Sequence, residues 1–418
     1  MNLRTIIFTT IASVACAVSA HAREVSFSVE SAAAFAIKNN PALAAARLRI
    51  EEARGRLDGA GLRPNPELEW ELSQNVRSLE HGVGVAWMQK FPRTARLALE
   101  KAVSRAELTA AIAEVRDAER RLAGEVRTAA IGLLALEKER GLRTRQIANS
   151  DELTGFMTKR VQSGEAAAVD AAQVELESQQ LSTQILMLNV EKATLLGTLR
   201  PLLGVRTSDL IDITGTLAEP GGLPGKSAVL SERGDYRAAK ANAEAARQGV
   251  ELARANKWED ITVGISASHD RTEDAPEGLS RDTMIGFKVN VPLPLWNKNE
   301  GKIREALATA KRTEKEIEAV AAQARAEAAS ARAEMVTLAK IVGDIDDKLI
   351  PAAKQIEEQL RTNYAAGLTP LPEVIRARGK RFELEAQRLD ALRDFHLARA
   401  KHMTAIGNVT TTTSQEKQ

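Results

Sequence analysis

The chain has 418 residues with 58 basic and 56 acidic side chains, so its charge is nearly balanced and indicates no nucleic-acid or other polyanionic partner. Aromatic residues make up only 3 % of the sequence, which is low for a large globular core, and alanine is abundant instead. This composition suits close packing between helices, and the length allows more than one ordinary domain.

Residues 1–22 have the features of a secretory signal peptide. Arg4 supplies the positive charge, residues 6–18 form an apolar run too short to span a bilayer, and an A-x-A cleavage motif ends at residue 22. The only cysteine, Cys16, lies inside this segment, and the residues before it lack the leucine of a lipoprotein signal. We therefore expect an exported, unlipidated chain without disulfides or thiolate metal sites.

In chain order, a helix is predicted over residues 29–60, with an early break at Asn40-Pro41 and an end near Gly61. Two strands follow, at about residues 66–75 and 82–91, because the apolar period changes to two.

The first of these strands alternates strictly between apolar and acidic side chains. Its apolar face is Leu68, Trp70 and Leu72, and its polar face is Glu67, Glu69 and Glu71. In a soluble sheet the apolar face would pack on a core, whereas in a membrane barrel it would face lipid.

A very long helical hairpin is predicted over residues 93–200. Apolar residues recur every seven positions on its first arm, as in a coiled-coil seam: Leu108, Val115, Leu122, Ala129 and Leu136. Gly164 breaks the pattern, and the second arm resumes it with Val174, Leu181, Leu188 and Leu195. The first arm would be roughly 100 Å long at the usual rise of an α-helix.

Glycine and proline are concentrated in residues 203–228, which we interpret as a linker outside any core. A helix is then predicted over residues 230–257. Two strands follow at about residues 259–268 and 283–292, joined by a polar loop at about residues 269–282.

Helix resumes at residue 299, and Pro351 is expected to kink or restart it. Gly367 marks the next break. A final helix runs to about residue 406, and residues 409–418 are expected to be a disordered tail.

The two halves of the sequence are similar and indicate a duplicated unit. Pro294 matches Pro92 at an offset of 202 residues, within two similar strand-to-helix stretches. Gly164 lies 72 residues after Pro92, and Gly367 lies 73 residues after Pro294, although a lone glycine is more often an ordinary helix cap. The predicted repeats are residues 23–202 and 229–408. The strand-to-helix junctions are marked by Pro92, Pro292 and Pro294.

The sequence has no run of 18 apolar residues after the signal, so three classes stay open: a soluble periplasmic protein, a secreted protein, or an outer-membrane β-barrel. All four tryptophans fall inside or near the ends of the predicted strands. Aromatic residues at strand ends mark the two interfaces of a membrane barrel, although they could also fill a small sheet core. The residues of this possible aromatic belt are Trp70, Trp87, Trp258 and Trp296.

Four strands cannot close a barrel, and an open edge in lipid leaves backbone groups unpaired. A membrane sheet of this size must therefore pool its strands with other copies of the chain. Two copies would give a barrel filled by its own side chains, and three copies would leave a lumen.

The signal peptide, the duplicated helix–strand–strand–helix unit and the two glycine breaks resemble the TolC-type outer-membrane efflux proteins. The stretch PLPLWNKNEG at residues 292–301 is most similar to their cation-efflux branch, which includes components of cobalt–zinc–cadmium resistance systems. The resemblance implies a mainly α fold with a small β part. It also implies a homotrimer with a twelve-stranded barrel in the outer membrane of a Gram-negative bacterium and a long periplasmic α-helical barrel.

The resemblance further implies an exit duct that docks on a periplasmic adaptor, or membrane fusion protein, above a proton-driven inner-membrane transporter. In the family, the hairpin tips carry a glycine followed six residues later by an acid. The matching residues are Gly164 with Asp170 and Gly367 with Glu373. Leu368 lies at the same docking tip, and Glu373 matches the acids that ring the closed periplasmic entrance. Arg376 departs from the pattern where a second acid can occur.

In such a barrel the polar strand face would line the pore. Glu67, Glu69, Glu71 and Lys288 are the predicted lumen residues, and rings of carboxylates would favour cations. The simpler alternative is that these glutamates form a solvated strand face.

Catalysis has no support in the sequence. The mature histidines are not in metal-ligand spacing, and we expect no cofactor, metal site or enzymatic activity. The alternative function is a soluble periplasmic coiled-coil scaffold or adaptor.

Overall fold

A computed structural model describes residues 24–76, 79–164, 167–222, 230–274 and 278–407. The predicted signal peptide and C-terminal tail lie outside the described residues. The chain is mainly helical, with one two-stranded and one four-stranded sheet among the described residues.

The described residues of the first half form four helices and four strands. They are β1 (Glu24–Phe27), α1 (Val29–Asn39), α2 (Pro41–Gly59), β2 (Glu67–Gln74), β3 (His81–Phe91), α3 (Arg96–Gln162), α4 (Ala168–Leu203) and β4 (Leu210–Ile213). The break between the first two helices lies at Asn40, whose side-chain oxygen accepts the Leu43 N–H at 2.9 Å and caps α2. Pro41 then takes the first helical position, where its missing N–H has no cost.

The second half repeats this plan. Its elements are α5 (Gly234–Ala255), β5 (Ile261–Asp274), β6 (Gly278–Asn290), α6 (Glu300–Asp344), α7 (Ile350–Ala365) and α8 (Leu371–Ala405). A π-helical segment, Ile345–Leu349, joins α6 to α7, and Pro351 is the second residue of α7. Proline has no N–H to donate and crowds the preceding turn, so the regular α pattern is interrupted there, as the sequence predicts.

The four-stranded sheet is antiparallel, with the order β2-β3-β5-β6. Each repeat contributes one hairpin, and β3 pairs with β5 from Phe91↔Ile261 to His81↔Arg271. The sheet is open within one chain, and β2 and β6 form its two edges.

The second hairpin differs from the prediction. The sequence predicts a long polar loop at residues 269–282, whereas β5 and β6 continue through most of it and pair up to Asp274↔Gly278. The alternation of apolar residues ends near residue 268, and the extension is polar on both faces, so the periodicity that predicts strands is missing there. The extra length therefore forms a taller hairpin instead of a longer loop.

The predicted linker also contains ordered structure. β4 lies within residues 203–228 and pairs in parallel with β1, which the sequence analysis missed. Ile213 is buried beside Phe27 in the largest apolar cluster of the described residues. Four-residue strands of mixed composition are too short to show a clear period, so this sheet is recognisable only from its long-range pairing.

Helix α3 organises the helical part. It packs against α4, α5 and α8, and the predicted seam residues Val115, Leu122, Ala129 and Leu136 are buried. Many of the buried positions are alanines, in agreement with the composition. None of the described helices is both long enough and apolar enough to cross a bilayer.

Candidate functional site

The register of the sheet separates its side chains into two faces, because directly paired residues point to the same side. Glu67 is level with Met88, Gly264 and Lys288, and Leu68 is level with Trp87, Ile265 and Phe287. The apolar face consists of Leu68, Trp70, Leu72, Val83, Val85, Trp87, Phe91, Ile261, Val263, Ile265, Ala267, Ile285, Phe287 and Val289. The predicted lumen residues Glu67, Glu69, Glu71 and Lys288 all lie on the opposite face.

The apolar face is uncovered in a single chain. Trp70 is 70 % exposed and Ile285 is 83 % exposed, whereas soluble proteins rarely leave so large a continuous apolar surface in water. No helix packs over either side of this sheet among the described elements. The face therefore needs an apolar environment from outside the chain.

The tryptophans do not form two rows at the two ends of the strands, as the aromatic-belt prediction expects. Trp70 and Trp87 lie in interior rows of the apolar face. Trp258 precedes β5, and Trp296 lies between β6 and α6, where it is 93 % exposed. Only Trp258 and Trp296 are thus near an end of the sheet, and both line a cleft on the side of the helices. Alternation shows that a residue belongs to a face but not how far it lies from the face's edge.

The polar face carries charges of both signs. Lys90 donates to Glu67 at 2.7 Å within one chain. Among the described residues, neither Glu69, Glu71 nor Lys288 forms an ion pair. Lys90 is not among the predicted lumen residues, although its even spacing from Gly84 and Ala86 places it on the polar side of β3.

The strand-to-helix junctions lie where the prolines predict them. β3 ends directly before Pro92, and β6 ends two residues before Pro292 and four before Pro294. Proline cannot donate to the next strand, so pairing stops at these positions. Beside the first junction, the Arg93 guanidinium lies 4.5 Å from the centre of the Trp258 ring.

The two hairpin tips are built alike. Gly164 and Gly367 both have positive φ, of 76° and 73°, a conformation that glycine adopts at little cost. At the second tip, Gly367 N–H bonds to the Tyr364 carbonyl and Leu368 N–H bonds to the Asn363 carbonyl, which is a Schellman motif. Leu368 is left 77 % exposed.

A contact between the two hairpins holds the tips together. The Arg160 guanidinium donates to the Tyr364 hydroxyl at 2.9 Å, and that hydroxyl lies 3.7 Å from the Met157 sulfur. Met157, Val174 and Leu371 form a small buried cluster beneath this contact. No local pattern in the sequence indicates the contact of Arg160 with Tyr364, because the two residues are far apart in sequence and belong to different repeats.

Both predicted acids of the tips begin a helix. Asp170 lies in the first turn of α4 and Glu373 in the first turn of α8, where a negative charge is favourable. Glu373 accepts from Arg376 at 2.7 Å. The arginine that departs from the family pattern therefore partly neutralises the predicted gate residue.

At the base of the hairpins, a buried ion cluster joins the four helices α3, α5, α6 and α8. The Arg233 side chain is only 3 % exposed, and it contacts Asp235, Glu327 and the Ala405 carbonyl at 2.6, 3.0 and 2.8 Å. Arg120 pairs with Asp117 and donates to the Thr404 carbonyl at 2.8 Å. The two guanidinium groups thus cap the C-terminal end of α8.

The charge balance of this cluster is visible in the pKa of Asp235. Burial acts to raise the pKa of this carboxyl, but the hydrogen bonds and charge of Arg233, with the charge of Arg120, outweigh burial and place the pKa below its usual value. The cluster is therefore a structural ion network. A run of charged residues in a helical pattern is usually a solvated face, so the sequence contains no clear signal of it.

The described histidines are dispersed. His396 bonds to the Ala218 carbonyl at 2.8 Å, and His402 is buried in α8. Within the described ranges, no three His, Cys, Asp or Glu side chains are placed to hold a metal ion.

Comparison with known proteins gives one family match. The family model described as "Outer membrane efflux protein" matches residues 34–205 and 226–408. No curated protein sequence matches the chain.

The fold is also similar to solved structures at low sequence identity. The chain shares 19 % identity and a TM-score of 0.77 with CusC, with 92 % of this chain and 93 % of that chain covered. With the outer membrane protein VceC of Vibrio cholerae it shares 18 % identity and a TM-score of 0.72, with 91 % of this chain and 96 % of that chain covered. With the CmeC outer membrane channel of Campylobacter jejuni it shares 13 % identity and a TM-score of 0.74, with 98 % of this chain and 94 % of that chain covered.

Proposed function

The chain belongs to the outer membrane efflux protein family, whose members are non-enzymatic efflux ducts, and on that premise we propose that it is the exit duct of a tripartite efflux pump. Three copies join their sheets into a twelve-stranded barrel in the outer membrane of a Gram-negative bacterium. Their helices form a tube across the periplasm.

The exposed apolar face of the four-stranded sheet is the observation that carries this proposal. Most of its large side chains are exposed, and no helix of the described chain packs over them, while the opposite face is polar. A barrel in lipid satisfies both faces at once, because lipid covers the apolar side and water fills the lumen. A soluble scaffold or adaptor would leave the apolar face in water.

The hairpin tips supply the docking end of the duct. We assign Gly164, Asp170, Gly367 and Leu368 to the contact with a periplasmic adaptor, and Glu373 to the ring at the entrance. Leu368 supports this assignment because it is a large apolar residue exposed at a turn. The contact between Arg160 and Tyr364 links the two hairpins and favours the closed tip. An adaptor that binds the separated hairpins more tightly would open the tip. A proton-driven inner-membrane transporter beneath the adaptor supplies the energy.

Divalent metal cations are the proposed cargo. Two features support them: the PLPLWNKNEG stretch resembles the cation-efflux branch, and the polar face carries three acids and one base, Lys288, across the rows of Glu67, Glu69 and Glu71. A negative pore wall attracts cations and repels anions. Passage needs no fixed metal site, because a duct releases what it receives.

A deletion strain complemented with the wild-type gene tests this function. We expect the protein in the outer-membrane fraction as a heat-sensitive trimer on unheated gels, and we expect deletion to raise sensitivity to zinc, cobalt or cadmium. Recovery as a soluble monomer would contradict the duct. Sensitivity to organic compounds alone would retain the duct and overturn the metal cargo.

A further inference from the structure

We propose that Lys288 of one copy forms an ion pair with a β2 glutamate of the next copy, and that this pair stabilises the closed barrel and reduces the charge of its pore. The inference rests on the proposed trimeric duct and names residues that join its subunits. It starts from the two open edges of the sheet.

The two edge strands are complementary on both faces. On the apolar side, β2 presents Leu68, Trp70 and Leu72, and β6 presents Ile285, Phe287 and Val289. On the polar side, β2 presents acids and β6 presents Lys288, its only base on that face between residues 282 and 290. Both strands also have a free backbone edge, which must be paired inside a membrane.

The directions of the two edge strands also fit a second copy of the chain as the neighbour. All neighbours in the sheet are antiparallel, so β2 and β6 run in opposite directions. A second copy can therefore place its β2 beside β6 and continue the antiparallel order without a reversal. The partner is a further copy of this chain, because the β6 edge of one copy matches the β2 edge of the next.

The pairing of Lys288 with an acid does not depend on one particular register. Side chains alternate with a period of two, so Lys288 can share its face only with odd-numbered residues of β2. From residue 67 to residue 71, every odd-numbered residue is a glutamate. The stagger that a closed barrel requires can therefore shift the strands by two residues within this range, and Lys288 still meets a carboxylate.

The available charges support the same pairing. Lys90 already pairs with Glu67 within the chain, at 2.7 Å. Glu69, Glu71 and Lys288 form no ion pair among the described residues of a single chain. An intersubunit pair of Lys288 with Glu69 or Glu71 then leaves one uncompensated β2 carboxylate in each copy. The pore wall at these rows is therefore only weakly negative.

Cysteine cross-linking tests the contact directly. We would combine K288C with E67C, E69C or E71C in the full-length protein, whose predicted mature part has no other cysteine. Paired Cβ atoms in neighbouring strands are close enough for a disulfide. We expect at least one pair to give oxidant-dependent covalent trimers in the outer membrane. The control, K288C with L68C, has its cysteines on opposite faces and should stay monomeric on denaturing gels.

Charge reversal tests the role of the contact. K288E should lower the temperature at which the trimer dissociates by a few degrees and increase the cation-to-anion permeability ratio in planar bilayers. Adding E69K or E71K to K288E should restore both. K298E, which makes the same charge change outside the sheet, should leave the dissociation temperature unchanged.

The outcomes separate this inference from the function on which it rests. Absence of any wild-type trimer in the outer membrane would overturn the duct itself. A normal trimer in which none of the three cysteine pairs cross-links would overturn only the contact of Lys288. Equal dissociation temperatures for K288E and K298E would also overturn it.

Discussion

The base of the helical part and the four-stranded sheet differ in where their side chains find partners. At the base, Arg120 and Arg233 are almost fully buried, and every group they need lies within one chain. In the sheet, the apolar face is exposed and both edges are open. The first region is complete as a monomer, and the second is complete only with lipid and further copies.

This difference teaches where stability and assembly are decided. Close helix packing and buried ion pairs stabilise the single chain whatever surrounds it. The sheet contributes little to the stability of a monomer in water, because its apolar face is not removed from water. Substitutions in the two regions should therefore affect different measurements.

The largest expected effect is at the ion cluster. Arg233→Ala leaves Asp235 and Glu327 without their shared cation and removes the cap from the Ala405 carbonyl. Loss of one partner from a buried pair costs about 3–5 kcal/mol. We expect a loss of that size in urea unfolding of the detergent-solubilised protein, followed by the helical circular dichroism signal. Arg237→Ala is the matched control, because Arg237 is 41 % exposed. Equal losses of unfolding free energy in both variants would show that the buried cluster stabilises the chain no more than an exposed arginine does.

The sheet should show the opposite behaviour. Ile285→Lys puts a charge in the middle of the proposed lipid-facing surface, at a cost of about 2–4 kcal/mol per copy near the bilayer centre. We expect fewer heat-sensitive trimers in the outer membrane and unchanged helical content in the protein that is recovered.

Met284→Lys is the control for this variant, since residue 284 is the neighbouring position on the polar face of the same strand. It should assemble normally. If both lysines impaired assembly equally, the assignment of the two faces would be wrong.

Close packing at the base predicts a smaller effect with an internal control. A Cβ at Gly234 would lie 2.5 Å from the Asp117 backbone nitrogen and 2.6 Å from the Ala113 carbonyl oxygen. Gly234→Ala should therefore destabilise the helical part by about 1–3 kcal/mol, because backbone atoms cannot move aside easily.

Gly249→Ala provides the comparison on the same helix. Nothing lies within 4 Å of a Cβ at that position, and alanine favours a helix by up to about 1 kcal/mol over glycine. The two variants should shift the helical melting temperature in opposite directions. A shift of the same sign in both would contradict the close contact between α5 and α3.

The sequence predicts these two regions to different extents. Heptad spacing indicates α3 and its seam, because a long repeat averages over many residues, and the matched prolines locate both junctions. The polar extension of β5 and β6 is missed because it has no apolar period. The contacts of Arg233 and of Tyr364 join distant elements, and no local pattern reports which charged residues of a helix become buried.

The smallest expected effect is on the pH dependence of the helical part. Burial, with a smaller contribution from the charge of Arg332, lowers the pKa of His402 below its usual value. The folded state therefore favours the neutral ring. Its stability is fully present above the ordinary pKa of about 6.5 and is lost as the pH falls toward the folded-state value, because only the unfolded chain gains the proton.

His402→Gln removes this proton from both states, so its melting temperature should fall less between pH 7 and pH 5 than that of the wild type. His81→Gln is the control from the sheet, where the histidine is exposed, and it should behave as the wild type does. His396 is present in all three proteins and contributes equally to each. If the melting temperatures of the wild type and His402→Gln fell equally between pH 7 and pH 5, the buried ring would not limit stability in acid. The contrast between the helical base and the open sheet would then depend on the arginine cluster and the close contact of Gly234 alone.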